Sequence, residues 1–322
     1  MIKILANDGI EADGKLLLEE AGYQVDTNHI PQDMLKEMLP EYDAVIVRSA
    51  TKIRKDLIDA CPNLKVIARA GVGMDNIDVE YARSKGINVI NTPRASSLAV
   101  AELVMAQVFT LARFLHIANR DMSTVGAEKF KDLKNKYSEG SQVRGRTLGI
   151  IGFGRIGQEL ARIAMGVGMK VIASDLGEKD VDIHIPVPDN NNVSLTMHLK
   201  TVSFEKILRD SDFISVHVPG GGSDKALIGA AEISRMKDGV YLINTSRGGV
   251  IDENALLNAL DKGKVAGAAL DVFVNEPTPD SRLLNHPKIS VTPHIGASTI
   301  EAQRYIALEL ADAFIEFFGE EN

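Results

Sequence analysis

The chain has 322 residues, 45% hydrophobic and 25% charged, a mix that excludes collagen-like, low-complexity and disordered classes and predicts about two domains. Its 44 acidic and 36 basic residues give a net charge of -8; with no basic run, this argues against nucleic acid as a main partner. Cys61 is the only cysteine, which excludes an intrachain disulfide and fits a reducing, cytoplasmic setting.

The N-terminus, MIKILANDGIEADG, places acids directly after a short apolar run, unlike a signal or transit peptide. No apolar run approaches the ~20 residues of a membrane span. Strands are predicted at Ile2–Ala6, Ala44–Val47, Lys65–Arg69 and Asn88–Asn91, with helix patterns at Gly14–Ala21 and Val79–Lys85. Such alternation implies a parallel sheet covered on both faces. Two strand ends carry cations: Arg48 in VRSATK and Arg69 in ARAGVGMDNID. Two guanidiniums exceed what one carboxylate needs, and a phosphate would use the surplus. The plainer alternative is a pair of surface ion pairs. Arg94, after Asn91-Thr92-Pro93, is open between phosphate binding and solvent.

Ser96–Asn119 reads as one long helix, apolar on much of its circumference and therefore buried on more than one side. That excess of apolar surface predicts a homodimer. The polar, Lys-rich stretch AEKFKDLKNKYSEGSQVRGR after it reads as an exposed excursion.

A second strand series opens with Thr147–Ile151. It leads into Gly152-Phe153-Gly154-Arg155-Ile156-Gly157 and a helix over Arg155–Val167. The G-x-G-x-x-G pattern is weak alone, but a preceding strand and a following helix make it evidence for a dinucleotide. The first glycine makes the tight turn, the second lets backbone approach the pyrophosphate, and the third allows close helix–strand packing. The helix N-terminus offers N–H groups and partial positive charge. The strand Lys170–Ser174 ends at Asp175, where a carboxylate meets ribose hydroxyls and favours NAD over NADP. Arg155 could salvage some phosphate binding, but Leu176 and Gly177 after the Asp supply no cation. A glycine-rich turn without a ligand is the alternative.

Asp180–Leu199, with Pro186, Pro188 and three consecutive Asn, is too long for a usual connection. It reads as a surface insertion with a small hairpin and no assigned function. Further strands are predicted at Phe213–Val216, Val240–Asn244, Ala266–Ala269 and Ile289–Thr292, with a helix pattern at Glu253–Lys262. Three of these lead into candidate chemistry. Arg247 in NTSRGG suits a bidentate grip on a carboxylate. Glu276 in DVFVNEP is the nearest acid for His294 in TPHIG, and a carboxylate partner raises a histidine pKa and fixes its tautomer. Hydride transfer to NAD needs a base for the hydroxyl proton, and a 2-hydroxy acid is the smallest substrate to use both His and Arg. Satisfied loop residues are the alternative for both. A last helix, Ser298–Phe318, needs a surface for Phe314, Phe317 and Phe318; the first domain is expected to supply it, becoming discontinuous.

GFGRIG, NTSRGG, DVFVNEP and PHIG, in this order and spacing, resemble the D-isomer-specific 2-hydroxyacid dehydrogenases through nearly the whole chain. The resemblance implies an α/β protein with two doubly wound parallel-sheet domains. These are a Rossmann NAD-binding domain over 96–296, with its dimerisation helix at 96–119, and a smaller flavodoxin-like substrate domain over 1–95 and 297–322. It implies catalysis by Arg247 as carboxylate clamp, Glu276 as the partner that raises the His pKa, and His294 as acid/base. It places cofactor contacts at Gly152, Gly154, Arg155, Ile156, Gly157, Asp175, His217, Val218, Pro219, Thr245, Ser246, Asp271, Gly296 and Ala297. The segments Val47–Lys52, Ala68–Asp78 and His294–Gln303 resemble the 3-phosphoglycerate dehydrogenase branch, implying substrate contacts at Arg48, Ser49, Arg69, Gly71, Val72, Gly73 and Asn76. The activity implied is NAD-dependent oxidation of 3-phosphoglycerate to 3-phosphohydroxypyruvate, the entry to serine synthesis, with no metal. A glyoxylate or hydroxypyruvate reductase and a non-catalytic NAD-sensing protein are the alternatives. Feedback inhibition through the regulatory extension that many such enzymes carry is not expected.

Overall fold

A computed structural model describes residues 1–186, 194–220 and 225–320. It divides into two compact units, Met1–Ser97 with Ala297–Asn322, and Leu98–Gly296.

The first unit is built on five parallel strands: β1 (Lys3–Ala6), β2 (Gln24–Asp26), β3 (Ala44–Val47), β4 (Val66–Arg69) and β5 (Asn88–Asn91). Their order is β2-β1-β3-β4-β5. Central strands are apolar on both sides, as burial on two faces demands; all four residues of β3 are buried. β2 has a single buried residue, Val25, between Gln24 and Asp26, so it leaves no apolar run to read in advance. One face packs Leu5, Val45 and Ile67 on Leu57 and Ile77. The other packs Ile4, Ile46 and Ala68 against Leu310, Phe314 and Phe318 of the helix Ile300–Glu320. Phe314 and Phe318 are fully buried, about 1.5–3 kcal/mol each by transfer of apolar surface. The last helix thus completes the first unit, which is discontinuous in sequence.

The second unit carries six parallel strands: β6 (Thr147–Ile151), β7 (Lys170–Ser174), β10 (Phe213–Val216), β11 (Val240–Asn244), β12 (Val265–Leu270) and β13 (Ile289–Val291). Between β7 and β10 lies a separate antiparallel hairpin, β8 (Asp180–Pro186) and β9 (Ser194–Lys200). The six-stranded order is β13-β12-β11-β10-β6-β7. Chain growth therefore reverses beside β6, and β6–β10 is the switch point at which such sheets bind ligands. The hairpin confirms the reading of the insertion; Pro188 and the Asn run lie outside the described residues. Ile183 and Leu199 anchor it in the core.

The long helix expected over 96–119 is two helices, Ser97–Arg113 and Leu115–Lys136, bent by 61°. Phe114 between them is left-handed at φ 58°, a conformation that ends a helix for any residue with a Cβ. The Lys-rich stretch expected to be an excursion is helical as far as Lys136 apart from a kink at Lys129: its Ala, Glu, Lys and Leu are good helix formers, whatever their polarity. Val104, Val108 and Leu111 are buried against Leu148, Phe213 and Ile243, while Leu98, Phe109, Leu115, Met122 and Phe130 remain exposed. Among the described residues, no single helix is long and apolar enough to cross a membrane.

Candidate active site

The dinucleotide turn follows β6. Gly152 has φ +93°, and a Cβ there would lie 2.2 Å from the His217 carbonyl oxygen. The loops after β6 and β10 therefore touch backbone to backbone at the switch point. The helix Arg155–Gly166 starts at Gly154 without a side-chain cap, and its first internal bond runs from the Gln158 N–H to the Gly154 carbonyl. The N–H groups of Arg155, Ile156 and Gly157 have no intrahelical partner. Among the described residues, no atom outside its chain neighbours lies within 4 Å of the place a Gly154 Cβ would take. Open space over unmatched donors fits a pyrophosphate. The Thr245 hydroxyl is buried without a partner among the described residues, a second sign of a polar ligand.

At the end of β7, Asp175 accepts from the Phe153 N–H through Oδ2 and the Leu176 N–H through Oδ1, both at 2.8 Å. Lys179 Nζ sits 2.6 Å from Oδ2. Burial works to raise the Asp175 pKa, but the Lys179 ammonium and the two N–H groups outweigh it and hold the carboxyl below its ordinary range. A cation does stand beside this carboxylate, contrary to expectation. It arrives four residues along, where the chain turns into β8.

After β11, Asn244 shapes the Arg247 turn. Its Oδ1 accepts from the Ser246 N–H and hydroxyl, and its Nδ2 donates to the Arg247 carbonyl at 2.8 Å. Ser246, expected to touch cofactor, spends its hydroxyl on this turn. The Arg247 stem lies against Gly220. A Cβ on Gly248 would come within 2.0 Å of the Phe273 carbonyl oxygen, so the turn docks directly on the loop that carries Glu276. That loop is held by Phe273 N–H donating to Glu276 Oε1 and Val274 N–H donating to Glu253 Oε1.

His294 Nδ1 lies 2.8 Å from Glu276 Oε2, with the two side chains 51% and 36% exposed. An ionised Glu276 accepts from Nδ1–H and leaves the Nε2 lone pair outward. His294 has φ 55°, a region that costs a non-glycine residue about 1–3 kcal/mol. The clamp that sustains it is Asp271. Oδ1 accepts from the Thr292 hydroxyl and the Ile295 N–H, and Oδ2 from the Gly296 N–H, at 2.6–2.9 Å. Asp271 and Gly296 were expected at the cofactor; here their polar groups bond each other and hold the histidine loop.

His217 and Val218 line the switch point, while Pro219 is exposed. His217 as a residue is only half-buried, but its Nδ1 is inaccessible and has no partner among the described residues, and its Nε2 meets the Ser215 hydroxyl at 2.8 Å. Burial pushes its pKa down from 6.5 to about 4. The unfolded chain binds a proton below pH 6.5 that the folded chain refuses until about 4, so this stability is complete above 6.5 and lost as pH falls toward 4. A His217→Gln variant should therefore lose about 2–3 kcal/mol less than the parent between pH 6.5 and 4 in urea titrations. Equal losses would show that the ring is not held neutral.

The first unit holds the remaining expected residues. Asp8 accepts from the Arg48 and Thr51 N–H groups and the Thr51 hydroxyl. The Arg48 side chain makes no hydrogen bond or ion pair with a described residue and lines a hollow with Gly9, Ala70 and Gln303. Ser49 is exposed. Asn76, expected at substrate, donates Nδ2 to the Arg48 and Thr51 carbonyls and so shapes their loop. The Arg69 guanidinium turns back over Gly71 onto the Ala70 carbonyl. Val72 and Gly73 follow at the surface, the Val72 carbonyl taking Asn91 Nδ2. The Ala297 carbonyl, expected at cofactor, accepts from Gln303. Arg94 pairs with Glu309 at 3.4 Å. Asp8, Lys179, Asn244 and Glu253 were missed: single polar residues carry no signal until folding shows what they hold.

Residues 105–296 match the D-isomer specific 2-hydroxyacid dehydrogenase, NAD binding domain. Hydroxypyruvate reductase of Thermotoga maritima is 42% identical over 321 residues, 98% of each chain. The chloroplastic D-3-phosphoglycerate dehydrogenase 2 of Arabidopsis thaliana is also 42% identical, over 97% of this chain but 47% of its own length, so the chain spans about half of that relative. The holo structure of Rhodotorula graminis D-mandelate dehydrogenase gives a TM-score of 0.84 at 27% identity, covering 98% of this chain and 94% of that one. Fold, turn chemistry and sequence agree, and the chain belongs to the D-isomer specific 2-hydroxyacid dehydrogenases, which use NAD to act on small 2-hydroxy acids.

Proposed function

We propose that the chain oxidises 3-phosphoglycerate to 3-phosphohydroxypyruvate with NAD. The pairing of His294 with Glu276 supports the chemistry, and the uncommitted Arg48 guanidinium supports the phosphorylated substrate. The Gly152–Gly157 turn and Asp175 would hold NAD, which when bound would supply the acceptor for the hydride on C2. Arg247 grips the substrate carboxylate and favours charge developing on the nearby oxygen. His294 Nε2 takes the hydroxyl proton, while Glu276 holds Nδ1–H and stabilises the imidazolium that results. In the reverse direction the same proton returns to the carbonyl oxygen. Exposed Leu98, Phe109, Leu115, Met122 and Phe130 support a homodimer through residues 97–136, which light scattering at micromolar concentration tests.

A hydroxypyruvate or glyoxylate reductase is the second reading. It is favoured by Arg69, whose guanidinium lies on its own backbone and leaves a single evident cation. Steady-state kinetics separate the two. If Arg48 binds phosphate, Arg48→Gln should cost about 10–100-fold in kcat/KM for 3-phosphoglycerate, the scale of one charge-assisted contact, and little for glycerate. Equal effects on the two acids, or a parent that prefers the unphosphorylated acid, would favour the second reading.

A further inference from the structure

The adenosine end of the cofactor site contains an ion pair that NAD does not require. In a Rossmann unit the carboxylate after the second strand bonds the ribose hydroxyls and repels a 2′-phosphate. Here Lys179 Nζ lies 2.6 Å from Asp175 Oδ2 and donates to the Phe153 carbonyl at 3.1 Å. The pair sums to zero charge where an isolated Asp175 would present minus one. An ammonium has three donors, and these contacts use two. The Lys179 side chain is 38% exposed, so the third is within reach of a ligand.

Lys179 is also delivered by a fixed backbone. Its N–H donates to the Thr201 hydroxyl and its carbonyl accepts from the Thr201 N–H, at 2.8 and 2.9 Å. These bonds close the base of the β8–β9 hairpin, whose Ile183 and Leu199 are buried in the core. Arg155, the first residue of the helix, is exposed and bonds no described residue. It adds a second cation to the same turn.

We propose that Lys179 fits this site for a 2′-phosphate, so that the chain binds NADP(H) as well as NAD(H). The inference rests on the family's cofactor site and extends it. The hairpin gains a role: it sets the position of the residue that decides cofactor tolerance. A 2′-phosphate draws the ammonium from Asp175 into a shared contact, and ribose hydroxyls of NAD bond the carboxylate with the ammonium still in place.

Titration calorimetry of the full chain with NADH, NADPH, 5′-AMP and 2′,5′-ADP tests this without turnover. The parent should bind NADPH within about thirtyfold of NADH, and 2′,5′-ADP more tightly than 5′-AMP. Lys179→Met should widen the NADPH-to-NADH ratio of Kd by about fivefold or more, while Lys179→Arg keeps it near the parent value. A wider parent ratio, a preference for 5′-AMP, or a smaller change in Lys179→Met would each overturn the proposal. If Lys179→Met melts with a lost transition, the parent's fragment preference and the Lys179→Arg ratio decide. Failure of the parent to bind either dinucleotide would contradict the cofactor site as a whole; binding of NADH alone contradicts only the role of Lys179.

Discussion

His294→Asn is expected to lower kcat for the 2-hydroxy acid by about 10²–10⁴-fold, the usual worth of a positioned acid/base, with NADH affinity nearly unchanged. Asn is the informative replacement because it tolerates the left-handed backbone that His294 adopts at φ 55°. An Ala variant would confound lost chemistry with altered strain. The two readouts separate roles as well: hydride transfer needs the proton acceptor, whereas dinucleotide binding rests on Gly152–Gly157 and Asp175. Retention of activity within tenfold would remove His294 from the reaction, whereas a parent without turnover would leave the NAD-sensing alternative standing.

The second large effect is expected at Gly248. A methyl group there meets the Phe273 carbonyl oxygen at 2.0 Å and the Val274 nitrogen at 2.6 Å, distances that no side-chain rotation relieves because both atoms are backbone. Gly248→Ala must push the Arg247 turn away from the loop that carries Glu276. Overpacking of this kind costs about 1–3 kcal/mol, and displacement of a catalytic loop by about 1 Å can cost 10²-fold in rate. We expect a lower Tm and about a hundredfold fall in kcat/KM together, measured by thermal melts and steady-state kinetics. A variant with parental activity would mean that the two loops move independently of the chemistry.

Much of this was legible before folding. Strands β3, β5, β6, β7, β10 and β11 were read to the residue because each is an apolar run bounded by turn chemistry. His294 and Glu276 were paired because each stands just past a strand end. Other features depend on distances that no linear pattern encodes. Phe114 breaks an apolar helix through a single backbone angle, with no Gly or Pro to announce it. Asp271 stands among the cofactor contacts through the family resemblance alone, and only the fold shows that its three bonds close a loop 21–25 residues away. Lys179 escaped notice because a lysine four residues past a carboxylate is ordinary on a surface; only the Thr201 contacts turn it inward.

The discontinuity of the first unit has a consequence for biosynthesis. Ile4, Ile46, Val66 and Ala68 leave the ribosome long before Phe314 and Phe318, which cover them. Throughout translation of the intervening sequence, that sheet face is only partly covered, by Leu17 and Leu18, whereas residues 98–296 emerge as a compact unit of their own. Vectorial synthesis thus favours maturation of the dinucleotide module ahead of its companion, and the nascent N-terminal segment is the stretch on which chaperones have most to act.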